Sequence, residues 1–151
     1  LRPPHALRVV EPPERFAPLL QALAAAGLRA GWLDLAPPAP VSAGLERAAA
    51  LGALRAVAVG GGRSLALKAL RGAPVWRDLL REHFQGCALV LVAGEAAAGA
   101  TVPPPGLAAL ISAGEGWKVE PPGDAAARHY DTPGLLALLR RPHPWDPPAS
   151  G

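Results

Sequence analysis

The chain predicts an α/β domain: a three-layer, mostly parallel sheet flanked by helices, in a Rossmann-like or flavodoxin-like arrangement. Three observations carry that expectation. Short apolar runs at 6–11, 28–35, 54–59 and 88–93 read as buried strands, and segments with helical periodicity separate the first three. The links in the first half are three to six residues long, which suits right-handed βαβ crossovers. Glycine and proline pairs fall between the runs and punctuate them. With 151 residues the chain is long enough for one core, expected over 1–142, with a proline-rich tail over 143–151.

Composition narrows the classes. Half of the residues are apolar, but alanine and leucine supply most of them and aromatics make up only 5%, so the core must be built from thin side chains in close contact. The net charge of +3 is small, and the arginines that dominate it are scattered rather than gathered into the stripe of a nucleic-acid binder. The chain contains no Asn or Met and a single Ile, which fits a GC-rich coding bias and equally a thermophile. One cysteine excludes an intrachain disulfide, and Cys87 opens an apolar run where a thiol behaves as a small hydrophobe. No apolar run approaches the ~20 residues of a membrane span, and LRPPHALRVVEPP lacks a signal-peptide core. The expected compartment is the reducing cytoplasm.

Element by element, ALRVVE (6–11) is a strand ended by Pro12-Pro13. Phe16, Leu19, Leu20 and Leu23 then mark one face of a helix over 14–26, stopped by Gly27. LRAGWLDL (28–35) is the second strand. Ser42 caps a second helix that Gly52 closes, and 54–59 is the third strand. Residues 63–71, RSLALKALR, are a fork. Their helix-forming composition, with no β-branched residue, favours a helix, while the alternative is a hairpin with Val57–Val59 spanning 55–70. Pro74 starts a helix with Trp76, Leu79, Leu80 and Phe84 on its apolar face, and ALVLVA (88–93) is the strongest strand. Beyond Gly94 the pattern weakens to a loop, two helical turns at 107–114 and a short edge strand at 116–120. A last helix follows, with Thr132 as cap and Pro133 in its first position.

The glycine turn is the leading candidate for function. A turn after a buried parallel strand lies at the carboxyl edge of the sheet, where open α/β proteins bind ligands. Gly60, Gly61 and Gly62 would let main-chain amides approach an anion, with Arg63, Ser64 and Lys68 adding side-chain contacts and a helix N-terminus adding its partial charge. The alternative is that the glycines only serve a tight turn. Asp34, at the end of the second strand, is placed to meet a ribose hydroxyl. Neither a Rossmann fingerprint nor a GK[ST] loop is present.

GLRAGWLDLAPPAPVSAGLERAAALGALRAVAVGGGRSLALKAL resembles the dinucleotide-binding half of iron-type alcohol and glycerol dehydrogenases. In that family a βαβα lead-in reaches a GGG turn followed by a helix carrying an Asp and a Lys. Gly60–Gly62 and Lys68 match with a one-residue gap, Leu65 or Ala66 stands where the Asp belongs, and the helical metal-binding half is absent. The resemblance covers about a third of the chain and implies a nucleotide-type pocket. The closing TPGLLALL is also similar to the end of uroporphyrinogen III synthases.

Other chemistry is thin. His83 and Cys87 have a ligand-like spacing but lack the further ligands a metal needs. The adjacent residues His129, Tyr130 and Asp131 would not share a face, and Ser64 and Ser112 lack a nucleophile-elbow context. No catalytic set or cofactor emerges, and whether the chain is an enzyme stays open. The leading expectation is a phosphate-bearing small molecule or nucleotide bound at the Gly60–Ser64 turn. The runner-up is a non-enzymatic accessory or protein-interaction module, self-association included, with Trp145 in the tail as a contact residue. The least favoured reading is a helix–turn–helix nucleic-acid binder that presents Lys68, Arg71, Arg77 and Arg81.

Overall fold

A computed structural model describes residues 3–35, 42–68, 70, 72, 75–94, 106–123 and 125–142. The APPAP link, part of the RGAP turn with Pro74, the 95–105 loop and the tail with Trp145 lie outside the described residues. Strand β1 (His5–Val9) leads through a 3-10 turn (Pro13–Phe16) into helix α1 (Ala17–Ala25). Then come β2 (Ala30–Asp34), α2 (Ala43–Ala50), β3 (Arg55–Gly60), β4 (Arg63–Lys68), α3 (Trp76–His83) and β5 (Leu89–Ala93). The described chain ends with β6 (Ala109–Ala113), β7 (Gly116–Glu120), β8 (Arg128–Tyr130) and α4 (Thr132–Leu138).

Six strands form a mixed, mostly parallel sheet in the order β2-β5-β1-β6-β7-β8. The first four run parallel, and β7 and β8 are added antiparallel. The α/β class and parallel pairing follow the sequence expectation, but several elements depart from it. The third predicted strand is not in this sheet: β3 pairs only with β4, as a separate two-stranded ribbon. Residues 107–114 are not helical turns but hold β6, whose Ile111 suits a strand and which turns into β7 through Gly114-Glu115. Only Gly114 has positive φ there, as the first central residue of a type II′ hairpin requires. Finally, β7 is not an edge strand, because β8 covers its outer side.

The caps follow local chemistry. Ser42 caps α2 as expected, its Oγ accepting from the Leu45 amide. In α4 the cap is Asp131 rather than Thr132: Asp131 Oδ1 accepts from the Gly134 amide at 2.8 Å. Thr132 serves the core instead, its Oγ1 accepting from Trp117 Nε1 at 2.9 Å.

Side chains alternate along each strand, so one face of the sheet gathers Leu7, Val9, Leu89, Leu91, Leu110, Trp117 and Val119. These pack with Phe16, Leu19 and Leu23 from the 3-10 turn and α1, and with Leu135 and Leu139 at α4. Val90 and Val92, on the opposite face of β5, are also fully buried, which explains why that strand is a continuous apolar run. Phe16 is fully buried between two tryptophans. It stacks on Trp117 at 5.8 Å between centroids and meets Trp32 at 6.1 Å with a 55° tilt. Phe16→Ala removes both contacts and leaves a cavity, so unfolding free energy should fall by about 3–5 kcal/mol. Urea denaturation followed by tryptophan fluorescence measures this, with Phe16→Leu expected to lose less.

Candidate functional site

The helix favoured for residues 63–71 is a strand where described, at Arg63–Lys68, and the hairpin alternative is the one present. The reason lies in the turn. Gly61 and Gly62 have φ of +58° and +74°, and positive φ at both central residues is the signature of a type I′ turn, whose twist matches antiparallel strands. That geometry sets the register from Gly60↔Arg63 to Arg55↔Lys68, and the ladder overrides the helical propensity of alanine, leucine and lysine. The helix–turn–helix reading loses its first helix for the same reason. So does the helix that the dehydrogenase resemblance requires after its glycines.

The predicted ligand residues are therefore distributed as follows. Gly60, Gly61, Gly62, Arg63 and Ser64 form an exposed hairpin tip rather than a turn at the carboxyl edge of the main sheet. Arg63 and Ser64 are neighbours in a strand and project to opposite faces. Lys68 is five residues away, about 17 Å of strand, and its Nζ donates to Glu82 Oε1 of α3 at 2.7 Å. That bond, with the ammonium charge, holds the Glu82 carboxyl below the usual carboxylate range. Asp34 ends β2 in the other sheet. The structure brings the glycines, Arg63 and Ser64 together, and separates them from Asp34 and Lys68.

The hairpin has two faces. Ala56 and Leu67 share one of them, with Ala56 buried and α2 packed against both strands. On the other, Val57 is 58% and Val59 82% exposed, opposite Ala66 and Ser64. Leu51, Leu54 and Leu65 add further exposed apolar surface. The sequence does not reveal this surface, because RAVAVG looks like an ordinary core strand. Only the turn chemistry of two adjacent glycines hints at a free ribbon.

At the carboxyl edge of the main sheet stands a polar contact between residues that no spacing or motif relates. Glu11, just after β1, accepts from the Ser112 amide at 2.7 Å and from its hydroxyl at 2.6 Å. The bond from the Ser112 hydroxyl and then that from its amide keep the Glu11 carboxyl below its ordinary value against an opposing cost of burial, with a lesser contribution from the charge of Arg15. The clasp closes the ends of β1 and β6 on each other. It gives the Ser112 hydroxyl a fixed acceptor.

Cavities among the described residues lie elsewhere. One of about 520 Å³ sits between Pro3-Pro4 and α3, and one of about 480 Å³ is bounded by Trp117, His129 and Asp131. A third, of about 310 Å³, is bordered by His5 and the half-buried Cys87. His5 Nε2 is 3.0 Å from the Leu139 carbonyl, an intrachain tie rather than a free ligand. Among the described residues, no group of three or more His, Cys, Asp or Glu side chains could hold a metal ion, and no helix is long and apolar enough to cross a membrane. Comparison with family models, curated proteins and solved structures gives no match for this chain.

Because Glu11 is more acidic when folded, its contribution to stability is complete above its unfolded pKa of about 4.3 and is lost as pH falls through the lower folded value. Ser112→Ala should therefore cost about 1 kcal/mol at pH 7, and progressively less than that below pH 4. Chemical denaturation of both proteins from pH 7 to pH 3 tests the sign.

Proposed function

We propose that the chain is a protein-interaction module, an accessory subunit whose docking element is the β3–β4 hairpin. The observation that carries this reading is the exposure of Val57 and Val59 on one face of a ribbon with no third strand among the described residues. A two-stranded ribbon is marginal by itself, and its outer edges are templates for pairing with another chain. An extended partner segment added beside β3 would satisfy the edge amides and carbonyls and cover the valines. Around this element the main sheet is a scaffold. Its four parallel strands, with α1 and α4 packed on one face, support a Rossmann-like, three-layer arrangement as the finer reading of the fold.

A phosphate-bearing ligand at the Gly60–Ser64 turn is the second reading. In its favour stands Arg63, exposed at the tip without an ion-pair partner among the described residues. Inorganic phosphate or a nucleotide would then shift the Gly61 and Gly62 amide resonances in a titration, and the shifts should vanish in Arg63→Ala.

For the interaction reading, a photo-reactive residue at position 59 should cross-link to one discrete polypeptide in the cells that make this protein, while the same residue at the exposed Ala24 should not. With the photo-reactive residue kept at position 59, Val57→Lys should abolish the product and leave the thermal midpoint nearly unchanged, because exposed sites of this kind alter stability by only about 0.5 kcal/mol. Equal labelling from both positions would refute the hairpin as the docking element.

A further inference from the structure

We propose that the cavity between Pro3-Pro4 and α3 binds a small aromatic anion, independently of the hairpin. The cavity measures about 520 Å³, within the range of pockets that enclose small organic ligands. It lies at the amino ends of β1 and β5, at the edge opposite the one where the sequence placed a ligand.

Its chemistry comes from the spacing along α3. Trp76 and Leu80 are four residues apart and form an apolar row one turn long; Arg77 and Arg81 form a parallel cationic row beside it. The two proline rings supply the facing wall. Among the described residues no carboxylate lines the cavity, so two guanidinium groups border an apolar space. Arg81 donates to Asp78 at 3.0 Å on the exposed side of the helix, an ion pair open to solvent on both members. Arg77 has no ion-pair partner among the described residues. A helix face with this pattern is complementary to a flat apolar ring bearing one carboxylate, sulfonate or phosphate. The ring takes the Trp76–Leu80 row, and the anionic group accepts the forked donors of the arginines.

α3 itself supports a face kept for a ligand. Its apolar residues Trp76, Leu79 and Leu80 are all half-buried, and none is fully covered by the rest of the described chain. A planar ring against Trp76 would complete that burial.

The test uses two fluorescent probes with similar rings: 1-anilinonaphthalene-8-sulfonate, an anion, and N-phenyl-1-naphthylamine, which is neutral. The full chain should bind the anionic probe saturably at one site. Arg77→Gln with Arg81→Gln should weaken the anionic probe about tenfold or more and leave the neutral probe within twofold. Trp76→Ala should weaken both. A loss of the anionic probe smaller than threefold, or equal losses of both probes from the arginine variant, overturns the proposal, as does the absence of saturable binding to the unaltered chain. Arg77→Gln alone serves if the double variant loses its circular-dichroism signal, and a loss of threefold or more is then expected. Val59→Lys separates this site from the docking hairpin. Unchanged affinity in that variant supports the cavity, and lost affinity places the probe on the hairpin and sinks the idea.

Discussion

Phe16 is the contact on which the main layer depends. It is the last residue of the 3-10 turn after β1 and reaches from the edge strand β2, through Trp32, to β7, through Trp117. A chain poor in aromatic residues has placed three of them in one cluster across the width of the sheet. Thin alanine and leucine side chains fill the space around it, which is workable because α1 and α4 both bring leucines to the same face. The hydroxyl of Thr132 and the carbonyl of Leu139 then tie the two ends of α4 to Trp117 and to His5. Packing, rather than polar bonding, determines where these elements lie, and the few polar bonds serve to position them.

Away from this cluster the structure becomes less well bound. α2 and the β3–β4 ribbon bury only Leu45 and Ala56 between them, and α3 buries no residue fully. Local opening free energy follows buried apolar contact, so the ribbon and its neighbouring helices form the softer part of the molecule. Exposed apolar surface collects in the same place. The well-packed layer is a platform, and the exposed apolar surface is concentrated on the part that yields.

The readable features of the sequence were those governed by local chemistry or strict periodicity: the β5 run, the Ser42 cap, the Phe16–Leu19–Leu23 stripe and the Gly27 and Gly52 stops. The failures share a cause. RSLALK and ALISA carry helix-compatible residues, and each is made a strand by a glycine turn that joins it to a partner. The turn is local, but the ladder it nucleates is visible only once both strands are considered together. The place of β3 in the molecule was harder still. An apolar strand of valine and alanine looks the same whether it enters the central sheet or stands out from it. The Glu11–Ser112 clasp spans 101 residues and leaves no trace in spacing. The two rows on α3 were legible as an amphipathic helix, whereas the facing prolines that close a cavity over it were not.

Gly31 has a consequence for α3. An added Cβ there would stand 2.5 Å from the ring of Phe84, which follows the last residue of the helix. The ring lies where a side chain on β2 would otherwise be, so a missing methyl group in an edge strand seats the carboxyl end of α3 against the sheet. The same helix forms one wall of the cavity at the amino edge. The bulk of residue 31 thus acts as a spacer that sets how far that wall stands from the strands, and a position outside the lining becomes a control on the width of the opening.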